Sequence, residues 1–183
     1  ENINQLDTTG FGDTLFLIKN NSGIPLYYFQ KIHSGVCFDN KCRLLDILVY
    51  WHITGRYRGF ELPPGEFLSK TDHEPFDAEE YERLNEILQN PAIPFNQISY
   101  DHLMKDTPSN NPEIDGISGA TSEAVSDYVI PGAAYTTYKI WKIVYGPTHD
   151  FIMDFTSKLI SSDVIFTILK SPDTTDKVWA LEQ

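Results

Sequence analysis

The chain has 183 residues, is 41% apolar and carries a formal net charge of −12. Its length suits one domain with room for a small appendage, and its apolar share supplies a core rather than a disordered tail. The acidic balance excludes a nucleic-acid partner, because neutralising phosphates takes clustered Lys and Arg. No window approaches the ~18 apolar residues that a membrane helix needs, so the chain is not expected to span a membrane.

In chain order, residues 13–19 read as a strand closed by the turn residues Asn20-Asn21-Ser22-Gly23. Pro25–Ile32 and Gly35–Phe38 read as further strand. The two cysteines, Cys37 and Cys42, flank Phe38-Asp39-Asn40-Lys41, and Asp-Asn is turn chemistry. This predicts a β-hairpin with one cysteine on each strand near the tip. Such a pair is either a cross-strand disulfide in an oxidising compartment or two reduced, half-buried thiols. One Cys pair offers too few ligands for zinc. Cys42–His52 is the clearest strand. Leu45, Ile47, Val49 and Trp51 form an apolar face expected under helices, while Leu44, Asp46, Leu48, Tyr50 and His52 form a mixed face that borders solvent or a polar site.

Residues 53–75 form a long connection rich in Gly and Pro that also holds Tyr57, Phe60 and Phe67. Connections of this length inside a compact domain are uncommon and often functional. A helix follows. Asp77 is its N-cap, Glu80 at N3 completes a capping box, Phe76 staples onto Tyr81, and Asn90-Pro91 ends it. From Glu61 to Glu86 nine carboxylates face only Lys70 and Arg83, which reads as a solvated face or as a docking patch for a basic partner. One or two helical turns are expected over Ser99–Lys105, a loop over 106–116, a short helix after Thr121 and a longer helix from Ala133 to Tyr145. From His149 onward three short helical patterns with incomplete caps make a helical C-terminal extension. The expected fold is therefore α+β: a twisted antiparallel sheet packed by helices over 1–147, with the extension over 148–183.

The chemistry concentrates in Asp115-Gly116-Ile117-Ser118-Gly119-Ala120-Thr121. Ser118, Gly119 and Ala120 are small enough to let a bulky group approach the backbone. Thr121 offers a hydroxyl where a helix is expected to begin, and backbone N–H groups at such an entrance favour a phosphate. A loop and helix cap with no further role is the bland alternative. Gly116-Ile117-Ser118-Gly119-Ala120 also approaches the nucleophile elbow of hydrolases, but the final Gly is missing and neither a preceding strand nor a βαβ pattern is present.

Asp115, Ser118, Gly119, Ala120 and Thr121 each match the flavinylation motif of FMN-binding domains, the flavinylated domains of ion-pumping quinone reductase subunits and related exported electron-transfer proteins. The chain resembles that family over about residues 13–145. The resemblance implies that Thr121 receives FMN through a phosphoester made by a separate flavin transferase, with redox partner proteins supplying and taking electrons. It implies an exported protein, periplasmic or extracellular, and a carrier rather than a self-contained enzyme. The strand ending in His52, followed by Gly55–Phe60, resembles the family's strand His and Gly-rich turn, which makes His52 and Tyr57 candidate cofactor contacts. There are two departures. Glu123 stands where many members carry Thr or Ser, and Ile53-Thr54-Gly55-Arg56 replaces the usual Glu-Thr-Pro-Gly. The alternative is a domain of this fold that has lost the flavin and serves as an interaction module.

Overall fold

The computed structural model describes residues 2–6, 14–38, 41–70, 73–98 and 127–183, with side chains described at 14–33, 46–70, 73–98 and 127–183. Five strands, β1 (Asn2–Leu6), β2 (Leu15–Lys19), β3 (Pro25–Phe38), β4 (Lys41–His52) and β5 (Tyr57–Glu61), pair in sequence order as an antiparallel meander. The helices are α1 (Ala78–Leu88), α2 (Ala134–Val144), α3 (Pro147–Ser157), α4 (Ser162–Leu169) and α5 (Thr174–Leu181), with a short 3-10 turn at Pro94–Asn96. The class is α+β, as expected.

Alternation sets the two faces of the sheet. Leu15 and Leu17 of β2, Tyr28 and Ile32 of β3 and Ile47, Val49 and Trp51 of β4 are buried. Three hydrogen bonds fix this face to three helices. Trp51 Nε1 donates to the Val144 carbonyl of α2 at 3.0 Å. The Tyr57 hydroxyl donates to Asn85 of α1 at 2.7 Å. The Tyr28 hydroxyl meets Thr156 of α3 at 2.9 Å. Aromatic residues therefore fill the core while their polar tips find partners, as buried Tyr and Trp require. The end of α1 is tied down in the same way: Tyr145 donates to the Leu88 carbonyl and Trp141 to that of Asn90. The first satisfies a carbonyl for which a helix end has no internal partner, and the second holds the chain just past the C-cap.

The sequence signals of α1 hold. Asp77 accepts from the Glu80 amide, Glu80 returns a bond to the Asp77 amide, and the Phe76 and Tyr81 rings lie 5.5 Å apart. Three expectations need correction, and one strand is additional to them. Pro25–Phe38 is one strand and not two, because its register with β4 runs unbroken from Tyr27↔His52 to Phe38↔Lys41 and His33 pairs with Asp46 across the supposed gap. The 53–75 connection contains β5, an edge strand whose charges and Gly59 disguised it as loop; charged residues and glycine are ordinary at sheet edges. Asn2–Leu6 is a strand that no sequence signal announced. The tail caps are complete at Ser161, which accepts from the Val164 amide, and at Asp173, which accepts from the Thr175 amide. The expected segments at 99–105, 106–116 and after Thr121 lie outside the described residues.

The C-terminal helices share the core of the sheet. Ile152, Val164, Ile168 and Ala180 belong to the same buried cluster as Trp51 and Tyr57. They pack around the β4–β5 turn, where Gly55 has φ +82° and a Cβ would stand 2.3 Å from Met153 Sδ. Only glycine fits both that backbone conformation and that close approach.

Candidate functional site

Asp115, Ser118, Gly119, Ala120 and Thr121 lie outside the described residues. The chain on either side of their segment is anchored on the helical side of the sheet. The Ile98 carbonyl accepts from the Tyr138 hydroxyl of α2 at 3.2 Å. The Asp127 carbonyl accepts from Arg83 of α1 at 2.7 Å. Just beyond, Thr136 donates to the Ser69 carbonyl, and the position of Gly132 abuts the Lys70 side chain. The described residues on either side of the motif thus lie among α1, α2 and the second half of the 53–75 connection.

The two other candidate residues part company at the turn. Tyr57 pairs with Trp51 and shares its inward face, and is only 2% exposed. Burial pushes its hydroxyl well above the usual tyrosine range, so it acts as a neutral hydrogen-bond donor inside the core. His52 sits at the end of β4 beside a carboxylate that sequence reasoning missed. Asp176 of α5 is fully buried. It accepts from Thr54 Oγ1 at 2.7 Å, from Arg56 Nε at 2.9 Å and Nη2 at 2.7 Å, and from Ser171 Oγ at 2.7 Å. His52 Nδ1 lies 3.0 Å from Asp176 Oδ1 and 2.9 Å from Thr54 Oγ1. Since Thr54 donates its hydroxyl proton to Asp176, both approaches are attractive only with a proton on Nδ1. They outweigh the Thr54 amide, which points at the same nitrogen from 3.3 Å, so we assign the ring proton to Nδ1.

The electrostatics follow from this packing. Burial pushes the Asp176 carboxyl up, but the hydrogen bonds from Arg56, Ser171 and Thr54 outweigh it and hold the group at about 2. Burial pushes His52 down to about 4; the attraction of Asp176 opposes this, while Arg56 and Arg58 repel a second positive charge. Both shifts act on stability in the same direction. The unfolded chain protonates His52 below about 6.5 and its carboxylates below about 3.9, whereas the folded protein resists both. Stability is expected to fall as pH drops from about 6.5 to 4 through His52, and again from about 4 to 2 through Asp176. Each pKa unit is worth about 1.4 kcal/mol, so the His52 leg is on the order of 3 kcal/mol. Urea unfolding across this range checks it: His52→Gln should flatten the upper leg and leave the lower one.

The sheet's other face is the mixed one, and apart from buried Ile18 its described side chains are half-buried or exposed. It carries a run of aromatics across three strands. Phe16 stacks on Phe29 at 4.8 Å, Phe29 lies 5.9 Å from Tyr50, and Tyr50 lies 6.4 Å from Tyr27. At the β5 edge this run opens into a groove of about 400 Å³ lined by Tyr27, Tyr50, Arg58, Gly59, Phe60 and Glu61. The register explains the groove. Trp51 pairs with Tyr57 but Tyr50 pairs with Gly59, so Arg58 is the extra residue of a bulge. Its guanidinium is carried over the Tyr27 ring, 5.2 Å from the centroid. Opposite Tyr50 stands a glycine at φ +150°, where a Cβ would meet nothing within 4 Å. The Tyr50 hydroxyl donates to Glu61 at 3.0 Å, and burial with the Glu61 charge raises its pKa to about 12. The alternation of Tyr27 and Phe29 with Tyr28 and Gln30 is visible in the sequence; the bulge that gathers Arg58 beside them is not.

Among the described residues no group of His, Cys, Asp and Glu could hold a metal ion, and no helix is long and apolar enough to cross a membrane. No protein-family model, curated protein or solved structure matches the chain.

Proposed function

We propose that this chain is a flavin-binding electron-transfer domain of an exported protein, with FMN attached through its phosphate to Thr121. The observation that carries the reading is the motif itself: Asp115, Ser118, Gly119, Ala120 and Thr121 at the spacing of a flavinylation site. The α+β architecture, with a meander sheet and a helix layer, accords with it. Bound FMN would supply one- and two-electron redox chemistry. The chain would hold the phosphate, exclude part of the solvent and set the potential through nearby charges. Electrons would enter and leave through partner proteins. The test is co-expression with a flavin transferase in an oxidising compartment. The purified chain should be yellow, with the two visible absorption bands of an oxidised flavin that persist after denaturation and gel filtration. A colourless product under those conditions counts against the reading.

Export carries its own expectation. Cys37 and Cys42 are direct partners in the β3–β4 register, which supports a cross-strand disulfide in an oxidising compartment. Thiol titration of exported protein should find no free thiol until reductant is added. Closing so short a loop should contribute about 2 kcal/mol, since loop-closure entropy grows only slowly with length. Two free thiols in unreduced, exported protein would contradict the pairing.

A second reading has one specific support. Phe166 of α4 is 63% exposed and Leu181 of α5 75% exposed, as an interaction surface on the C-terminal helices would require. A chain that never acquires flavin but retains this fold would serve as an interaction module.

A further inference from the structure

The flavin reading leaves open where the ring of the cofactor rests, and the groove on the sheet face that no described helix covers offers a seat. We propose that the groove between Tyr27, Tyr50, Arg58 and Glu61 binds the isoalloxazine ring of the flavin attached at Thr121. This rests on the flavin reading and adds to it a ring site made of residues outside the motif.

Size and shape come first. A volume of about 400 Å³ lies within the range of small-molecule sites, roughly 300–1,000 Å³. The vacancy has a definite cause, because the bulge sets side-chain-free Gly59 opposite Tyr50 where a side chain would otherwise fill the space. A flat heterocycle can lie against the Tyr50 ring there, the arrangement that aromatic side chains favour with a planar partner, while the Tyr27 ring, tilted 54° from it and capped by Arg58, closes one side.

Charge and hydrogen bonding match the polar edge of the ring. The pyrimidine edge of isoalloxazine presents carbonyl, imide N–H and carbonyl, an acceptor–donor–acceptor row. Arg58 supplies donors for a carbonyl, and Glu61, which takes the Tyr50 hydroxyl on Oε2, keeps a second oxygen for an imide N–H. A guanidinium at that edge also favours the anionic reduced flavin.

Chain length permits the placement. The groove lies at the edge strand β5, and Phe60, whose neighbours Gly59 and Glu61 line it, turns its own ring to the helical face, 6.4 Å from Tyr81 of α1, so a tether from that side has only the sheet edge to round. Two residues further along that helix, Arg83 holds the Asp127 carbonyl. Thr121 precedes Asp127 by six residues, which span at most about 20 Å, and the ribityl phosphate arm extends the reach beyond that.

The test compares the full chain with Tyr50→Ala, Tyr50→Phe and Arg58→Gln, each co-expressed with the transferase and weighed to establish equal loading. In the loaded parent, flavin fluorescence should be quenched relative to free FMN and accompanied by induced visible circular dichroism. Tyr50→Ala should lose both with its mass unchanged, Tyr50→Phe should keep the quenching, and Arg58→Gln should lower the midpoint potential. A loaded parent as bright as free FMN, or variants indistinguishable from it, overturns the groove as the ring site while leaving attachment at Thr121 intact. Should no chain gain mass, attachment fails, and free FMN at about 1 mM, near the effective concentration of a short tether, judges the groove alone. Dichroism induced in the parent and weakened about threefold to tenfold by Tyr50→Ala, the worth of one aromatic contact, supports it. No induced signal, or an equal signal in both, overturns it.

Discussion

Asp176→Ala is expected to cost about 3 kcal/mol of stability, at the lower end of what removing one member of a buried ion pair costs. The carboxylate is fully buried and takes four hydrogen bonds, from Thr54, twice from Arg56 and from Ser171. Alanine leaves all of those donors without their acceptor. Arg56 is 32% exposed at its side chain and also pairs with Asp173 at 3.3 Å, so it regains some water and the loss stays below the upper end of the range. Asp176→Asn keeps the shape but sets an amide N–H₂ against donors, and should fall between parent and alanine. The bonds join α5 to the β4–β5 turn, so the loss should begin locally. Limited proteolysis should cut the alanine variant first between α3 and α5, before the sheet unfolds. An unfolding free energy within about 0.5 kcal/mol of the parent, the ordinary range for surface substitutions, would show that the buried carboxylate does not anchor these helices.

Thr121→Ala carries the largest expected effect on function: complete loss of covalent flavin. Alanine has no oxygen with which to form the phosphoester, so transferase and FAD together cannot load it. Ser118→Ala should load nearly as well as the parent, because Ser118 shapes the approach without forming the bond. Asp115→Ala should load more slowly if that carboxylate presents the hydroxyl to the transferase. Stability is the control. An N-cap threonine is worth roughly 0.5–2 kcal/mol, so the alanine variant should remain folded and its circular dichroism should match the parent. Loading of Thr121→Ala equal to that of the parent would move the attachment elsewhere on the chain.

The contrast between what the sequence disclosed and what it hid has physical causes. The start of α1 was legible to the residue, because a capping box and its staple lie within six consecutive positions, Phe76 to Tyr81. The inward and outward faces of β4 were legible because alternation is a local property. The edge strand β5 was not: Arg58, Gly59 and Glu61 are its outward residues and carry no hydrophobic signal, and its pairing with β4 depends on a bulge. The union of Asp176 with Thr54 and Arg56 joins positions more than a hundred residues apart. No local pattern announces it, and an aspartate in the first turn of a short helix reads as ordinary dipole chemistry. The aromatic run from Phe16 to Tyr27 is of the same kind, since its members come together only once the register of three strands is set. The motif at Asp115–Thr121 is the reverse case, a purely local pattern on which the proposed attachment rests without the fold.

Peptide mass mapping of the chain co-expressed with a flavin transferase tests the central claim most directly. The account predicts an intact mass raised by one FMN residue, with the whole increment on the peptide that contains Thr121. An unmodified mass, or an increment on a peptide that lacks Thr121, would contradict it.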